Sequence, residues 1–219
     1  MKKLVAVFGL AIMVLAACID YEEELVIQAD GSAEHRVAMA VSLEFSEMDG
    51  AMGGMNGSIT SDFFDDFVGE GITVLSQDSF VRPTRNMYGD EELYQVQEIR
   101  VRYDNVAEAP NLAGDEDSFT FERRSDGSFL LRRRIEADGA EEPDPEMDEM
   151  LEFMGFLFAD NGFSFALEMP ARIRTARVEG APEHLQPTWE GRRVEWYLPF
   201  VEMMGAKDDF WLVVETAAR

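Results

Sequence analysis

The side chains that most often do chemistry are scarce in this chain, which has one cysteine, Cys18, and two histidines, His35 and His184. Nucleophilic catalysis needs a base beside the nucleophile and a turn that presents it, and no Gly-x-Ser-x-Gly elbow occurs. Zinc needs closely spaced Cys and His, and neither that spacing nor His-Glu-x-x-His is present. Gly50, Gly53, Gly54 and Gly57 lack the following Lys-Ser/Thr of a phosphate loop, so no cofactor is expected. With 44 Asp+Glu, carboxylate pairs at glycosidase separations arise by number alone and carry no signal. Asp115-Glu116-Asp117 and the set Asp144, Glu146 and Asp148 do not follow calcium-loop spacing and read as solvated acidic loops. Met48, Met52 and Met55 offer three thioethers to Cu(I) with no His or Cys beside them, whereas Met147, Met150 and Met154 fall on an apolar helical stripe and read as core. His35, on the apolar face of a strand, and His184, between Pro182 and Pro187, read as structural. No catalytic and no metal-binding residue is assigned.

Cys18 has a different chemistry in prospect. Lys2 and Lys3 precede an uncharged stretch from Leu4 to Ala17, and Asp20, Glu22, Glu23 and Glu24 follow the cysteine at once. The apolar stretch falls short of the ~20 residues that span a bilayer and matches the charged and apolar regions of an export signal. The segment Leu15-Ala16-Ala17-Cys18 resembles the lipobox of bacterial lipoproteins. That resemblance implies cleavage after Ala17, a diacylglycerol thioether on Cys18 and usually an acylated amino group. Each buried methylene contributes about 0.8 kcal/mol, so several chains make a durable anchor. Ile19 rather than Asp follows the cysteine, which favours the periplasmic face of the outer membrane over retention at the inner one.

The formal charge of −25 excludes nucleic acid as a partner, because phosphate binding needs clustered Lys and Arg. A hydrophobic fraction of 46% with 11% aromatics is nonetheless enough to bury a core. Beyond the signal, Lys207 is the only lysine, and arginine suits pairing with carboxylates across strands. Membrane attachment therefore falls to the lipid rather than to a polybasic patch.

The elements that must position these groups follow from periodicity. Asp30-Gly31 between Tyr21–Ala29 and Ser32–Leu43 predicts a hairpin on a type I′ turn, with His35, Val37, Met39, Val41 and Leu43 on one face. A flexible glycine- and methionine-rich loop, Glu47–Ser58, then leads to a short helix capped at Thr60 or Ser61, with Phe63, Phe64, Phe67 and Val68 as its stripe. Ile72–Phe80 and Leu93–Tyr103 read as strands around a polar loop at Pro83, and Asp126-Gly127 joins Ser118–Arg124 to Ser128–Glu136 in a second hairpin. After the acidic connector 137–145, Met147, Met150, Leu151, Met154, Leu157 and Phe158 recur at helical spacing. Phe163–Met169, Arg172–Val178, Arg192–Leu198 and Phe210–Thr216 complete a β-rich end, and Glu190-Gly191 marks a turn. Arg100, Arg102, Arg132, Arg134, Arg172 and Arg174 alternate along strands, as faces laced with Glu pairs require. The expected fold is α+β: antiparallel β-hairpins forming a sheet with two helices packed on it, in one domain, 18–219, behind a signal peptide, 1–17.

Cys18, Tyr21 and Asp30-Gly31-Ser32, taken with Met169-Pro170, Ile173, Val194-Glu195-Trp196 and Leu198-Pro199, resemble the LppM-type lipoprotein family. The resemblance implies a lipidated cysteine, a strand-turn-strand start, a Trp-bearing strand near the end and an α+β fold, and it supplies no catalytic residue. The expected function is a bacterial envelope lipoprotein anchored at Cys18, acting as a non-catalytic binding or structural interaction module. Its partners would be the membrane, through the anchor, and an envelope protein or a lipid ligand. The alternatives are a lipid-anchored hydrolase using Asp/Glu and a Cu(I)- or Ca²⁺-binding module.

Overall fold

The computed structural model describes residues 19–43, 67, 69–85, 91–109, 119–136, 161–181, 183–206 and 208–218. Among these residues the chain is built from strands: β1 (Ile19–Ile27), β2 (Ala33–Ser42), β3 (Ile72–Arg85), β4 (Glu91–Tyr103), β5 (Phe119–Arg123), β6 (Phe129–Ile135), β7 (Gly162–Glu168), β8 (Ile173–Glu179), β9 (Thr188–Glu190), β10 (Arg193–Pro199) and β11 (Phe210–Thr216). The longest helix among them is α1 (Phe200–Gly205), of six residues. The expected α+β fold with two packed helices is thus corrected to an all-β arrangement of two sheets. Of the two expected helices, only Phe67 lies within the described residues, and it is buried. No helix of the described residues is long and apolar enough to cross a membrane.

One sheet has seven strands in the order β3-β4-β2-β1-β7-β10-β9, and the other has four in the order β5-β6-β11-β8. Neighbours pair antiparallel except β1 and β7, whose parallel pairing joins the N-terminal hairpins to the C-terminal ones. The inner faces of the two sheets share one hydrophobic core. Leu25, Val37, Ile99, Phe165, Leu167 and Leu198 of the first meet Leu131, Phe210, Leu212 and Val214 of the second, each fully or almost fully buried. Burying one such side chain contributes about 1.5–3 kcal/mol, so the two-sheet interface supplies most of the fold's driving force. Phe165 stacks between Phe163 and Trp196, with centroids 6.0 and 5.5 Å away.

The turns differ from expectation by one residue, and the difference decides the fold. A type I′ turn needs positive φ at both central residues. Here Gly31 alone has it, at +92°, and its N–H donates to the carbonyl of Gln28. The turn is therefore Gln28-Ala29-Asp30-Gly31, and Asp30 accepts from the Ser32 N–H and hydroxyl. Asp126-Gly127-Ser128 repeats the arrangement, with Gly127 at +81° and its N–H on the Arg124 carbonyl. The longer turn sets Leu25 opposite His35 and Phe121 opposite Leu131. A strict two-residue loop would shift each pairing by one and turn the wrong face inward.

Pro83, expected in a loop, lies in β3. β3 is an edge strand, where a residue without an N–H costs no ladder bond on the open side. In the four-stranded sheet the edge at β8 is covered. Gln186 accepts from the Val178 N–H and donates to its carbonyl, capping that edge with a side chain.

Candidate functional site

The run Glu22-Glu23-Glu24 of β1 splits between the two faces of its sheet. Glu23 shares the inward face with Tyr21, Leu25 and Ile27, while Glu22 and Glu24 face out. The same alternation in Arg132-Arg133-Arg134 of β6 sends Arg133 inward from the opposing sheet. The two meet in the core. Arg133 grips Glu23 with both terminal nitrogens, Nη1 to Oε2 and Nη2 to Oε1, the latter at 3.1 Å. The guanidinium lies over Phe165, 4.7 Å from its centroid, and over Phe163 at 5.3 Å. Tyr21 donates its hydroxyl to Glu23 Oε1 at 2.7 Å, and His35 Nε2 stands 3.8 Å from Oε2. His35 Nδ1 shares a proton with the Tyr103 hydroxyl at 3.1 Å.

Burial alone would push the Glu23 carboxyl up. The Arg133 charge and hydrogen bonds, with the His35 ring nearby, reverse that and hold it far below the ordinary carboxylate range. Burial, then the Glu23 charge and hydrogen bond, push the Tyr21 phenol above its usual 10.0. The group is an ionised pair locked between sheets, and it joins the two layers chemically as well as by packing. His35 was expected on an apolar face in a structural role, and it is buried at 1% exposure within this network.

The outward face of the same strands forms a cleft of about 550 Å³. Its floor is the part of β7 whose outward residues are the small Ser164 and Ala166. Its walls are Glu22, Glu24 and Arg36 on one side and Glu195, Tyr197 and Arg193 on the other. A strand of small residues between two strands of long ones leaves a trough for simple steric reasons. Arg193 crosses the floor to Glu24 at 2.5 Å and also binds Glu195 at 2.7 Å. Arg36 binds Glu98 at 2.6 Å and Glu22 at 3.2 Å, and Arg82 reaches Glu22 at 2.9 Å. Burial raises the Glu22 carboxyl, but Arg82 and Arg36 outweigh it and hold the group low. Glu22 is an engaged acceptor rather than a carboxylic acid poised to give up a proton. His184, at the rim, lies 3.2 Å from Glu202 of α1.

Gly162, at the start of β7, fixes how Tyr197 meets this floor. A Cβ there would stand 2.7 Å from the Leu198 carbonyl oxygen and 2.9 Å from the Tyr197 ring.

Of the alternating arginines, Arg100, Arg102, Arg132, Arg134 and Arg174 pair with carboxylates. Arg100 binds Glu98 at 2.9 Å, Arg102 binds Glu34 at 2.7 Å, Arg134 binds Asp209 at 2.9 Å and Arg174 binds Glu215 at 2.5 Å. Arg132 lies 4.8 Å over the Trp211 ring. No cluster of three or more metal-binding side chains occurs among the described residues. Leu15, Ala16, Ala17 and Cys18 lie outside the described residues, as do both methionine sets and the two acidic clusters. Sequence reasoning missed Glu23 and Arg133, each hidden in a run of like charges. The usable signal was their parity with Leu25 and Leu131.

No family model matches the chain, and no curated protein matches it. Among solved structures it is similar to the folded domain of LppM from Mycobacterium tuberculosis, at 14% identity and a TM-score of 0.41, over 92% of this chain and 90% of that one. It is also similar to an M1 zinc metallopeptidase from Deinococcus radiodurans, at 12% identity and a TM-score of 0.31, over 90% of this chain but 42% of the peptidase. The first bears the name of the family that the two ends of the sequence resemble. Neither likeness assigns a site or an activity to this chain.

Proposed function

We propose that this protein is a bacterial envelope lipoprotein held through a lipid on Cys18, and that its domain acts by binding rather than by catalysis. The observation that carries the reading is the junction between leader and fold. Cleavage after Ala17 leaves all nine residues of β1, which begins at Ile19, so the cut of the lipobox falls at the first residue before the sheet. The cleft over β7 is the binding surface in this reading. Its charges are already neutralised in pairs, which suits a polar envelope partner met through hydrogen bonds and the half-exposed Tyr197 ring rather than a reaction needing a free acid or base. The periplasmic face of the outer membrane is the proposed location.

The test is intact mass and membrane fractionation of the native chain beside Cys18→Ser in a lipoprotein-processing bacterium. The expected result is loss of residues 1–17 with added lipid mass, both abolished by the substitution. An unlipidated mature form would overturn the anchor. For the cleft, a photo-crosslinker in place of Tyr197 is expected to capture an envelope component that the same group at Arg123, on the other sheet, does not. Equal capture from both positions refutes the assignment of the surface.

A further inference from the structure

The two sheets have four edges among the described residues, and three of them are short or covered. β9 spans three residues and β5 five, and Gln186 binds along β8. The fourth edge is β3, which runs for 14 residues. Four of the seven large hydrophobic side chains exposed among the described residues lie on it: Val74, Leu75, Phe80 and Val81. A long apolar edge is a template for another strand, and folded proteins normally shorten, charge or cover it. Here the edge is interrupted only toward its ends, by a register shift after Val74 and by Pro83, which has no N–H.

The ladders fix which peptide groups of β3 face outward. The Gln28 N–H on the Ser32 carbonyl sets the alternation of bonds between β1 and β2, and the registers carry it through β2 and β4 to β3. Even positions from Ser76 to Thr84 bond to β4. Gln77, Ser79, Val81 and Pro83 therefore turn their peptide groups to the open side, and the missing donor of Pro83 falls there, at no cost to the β3–β4 ladder.

What this edge fits is set by its own side chains. A two-fold axis brings the same strand back antiparallel, and open positions must then meet open positions. Centring the axis on Phe80 places Ser79 opposite Val81 of the second copy, Gln77 opposite Pro83, and Asp78 opposite Arg82 in both directions. Moving the centre by one residue loses both charge pairs, and moving it by two sets Asp78 against Asp78 or Arg82 against Arg82. Asp78 is exposed and has no ion-pair partner among the described residues. Arg82 reaches Glu22 through Nη2 alone, so its other nitrogens remain to give. β3 carries two arginines against one aspartate in a chain of 44 acidic and 19 basic residues, so the strip lacks the acidic excess that drives copies of the whole chain apart.

We infer that two copies of this chain join edge to edge through β3, antiparallel about a two-fold axis at Phe80. The N–H groups of Gln77, Ser79 and Val81 reach the carbonyls of Pro83, Val81 and Ser79 in the other copy. The two Phe80 rings meet at a position without ladder bonds, where side chains of opposed strands stand closest. The two seven-stranded sheets become one continuous sheet.

The test is sedimentation of the full chain, produced in a bacterium and held in excess detergent micelles with a reductant, so that neither a lipid nor a disulfide at Cys18 is read as association. The native chain is expected to sediment as a dimer that dissociates on dilution. Asp78→Arg alone sets arginine against arginine, and Arg82→Asp alone sets aspartate against aspartate, so each should dissociate at a concentration about tenfold higher or more. An equimolar mixture of the two variants restores opposite charges at both pairs and should recover the native dimer. Val81→Pro, which removes one outward N–H and no bond to β4, should be monomeric with native circular dichroism. A native chain that is monomeric at every concentration, or that travels with a different protein, overturns the inference. So does a mixture no tighter than its two parts, or a Val81→Pro chain that dimerises as the native one does.

Discussion

Glu23 and Arg133 stand on opposite sheets and are held in place by the aromatic rings of Phe163 and Phe165. Taking two charges out of water is expensive, and removing one partner leaves the other stranded. Glu23→Leu should therefore cost about 3–5 kcal/mol in a urea melt. The double change Glu23→Leu with Arg133→Leu should recover most of that loss, since an apolar pair of similar volume needs no desolvation. A double variant as unstable as the single one would mean that the pair specifies the packing of the sheets and not just a local charge balance. The pH dependence has two limbs of opposite sign. The Glu23 carboxyl is depressed in the folded state, so its contribution is complete above its ordinary 4.5 and is lost as acid titrates it toward the folded value. The Tyr21 phenol is raised, so its contribution is present below 10.0 and is lost as the pH climbs above that. Tyr21→Phe should remove the alkaline limb and keep the acid one, as followed by thermal melting across pH. Neither Glu23 nor Arg133 stood out in the sequence, because charge composition is the same whichever member of a run turns inward.

At the scale of elements, most strands were legible and their pairing lengths were not. The alternation of Val194, Trp196 and Leu198 with Arg193, Glu195 and Tyr197 marks β10 without ambiguity, and the span Phe210–Thr216 is the same in sequence and structure. Two features escaped. The Asp-Gly loops each take three residues rather than two, since Asp30 and Asp126 use their side chains to bind the following Ser and only the glycine goes left-handed. The second is the seven-stranded sheet itself, which depends on a parallel contact between strands far apart in sequence that no local pattern announces. Gly31→Ala should cost about 1–2 kcal/mol through the left-handed backbone. Asp30→Ala should cost less, on the order of 1 kcal/mol for its two capping bonds. The pair of values, read by chemical denaturation, separates backbone strain from side-chain capping. Gly162→Ala meets the Leu198 carbonyl oxygen and should shift β10 against β7, visible as a change at the Tyr197 amide by NMR.

At the scale of the molecule, the acidic charge bears on the anchor proposed above. A body with formal charge −25 is repelled by anionic headgroups, so attachment by general electrostatics is unavailable. Raising ionic strength should then leave fractionation with the membrane unchanged for the native chain, whereas a peripheral protein held by charge would wash off. The position of β1 has one more consequence. It is the first strand among the described residues, yet it is an interior strand of its sheet, with β2 on one side and β7 on the other. Asp20 and Asn161, joined by their side chains, are 141 positions apart. If the chain is exported as proposed, β1 can pair at once with β2 but must leave its other edge open until nearly three quarters of the chain has crossed. That open edge is a template for wrong pairing, and under the proposed anchor the strand could not diffuse away from its neighbours. On that proposal the hardest step falls during export, before the fold is complete, and depletion of periplasmic chaperones should raise aggregation of this protein before it alters the stability of molecules already folded.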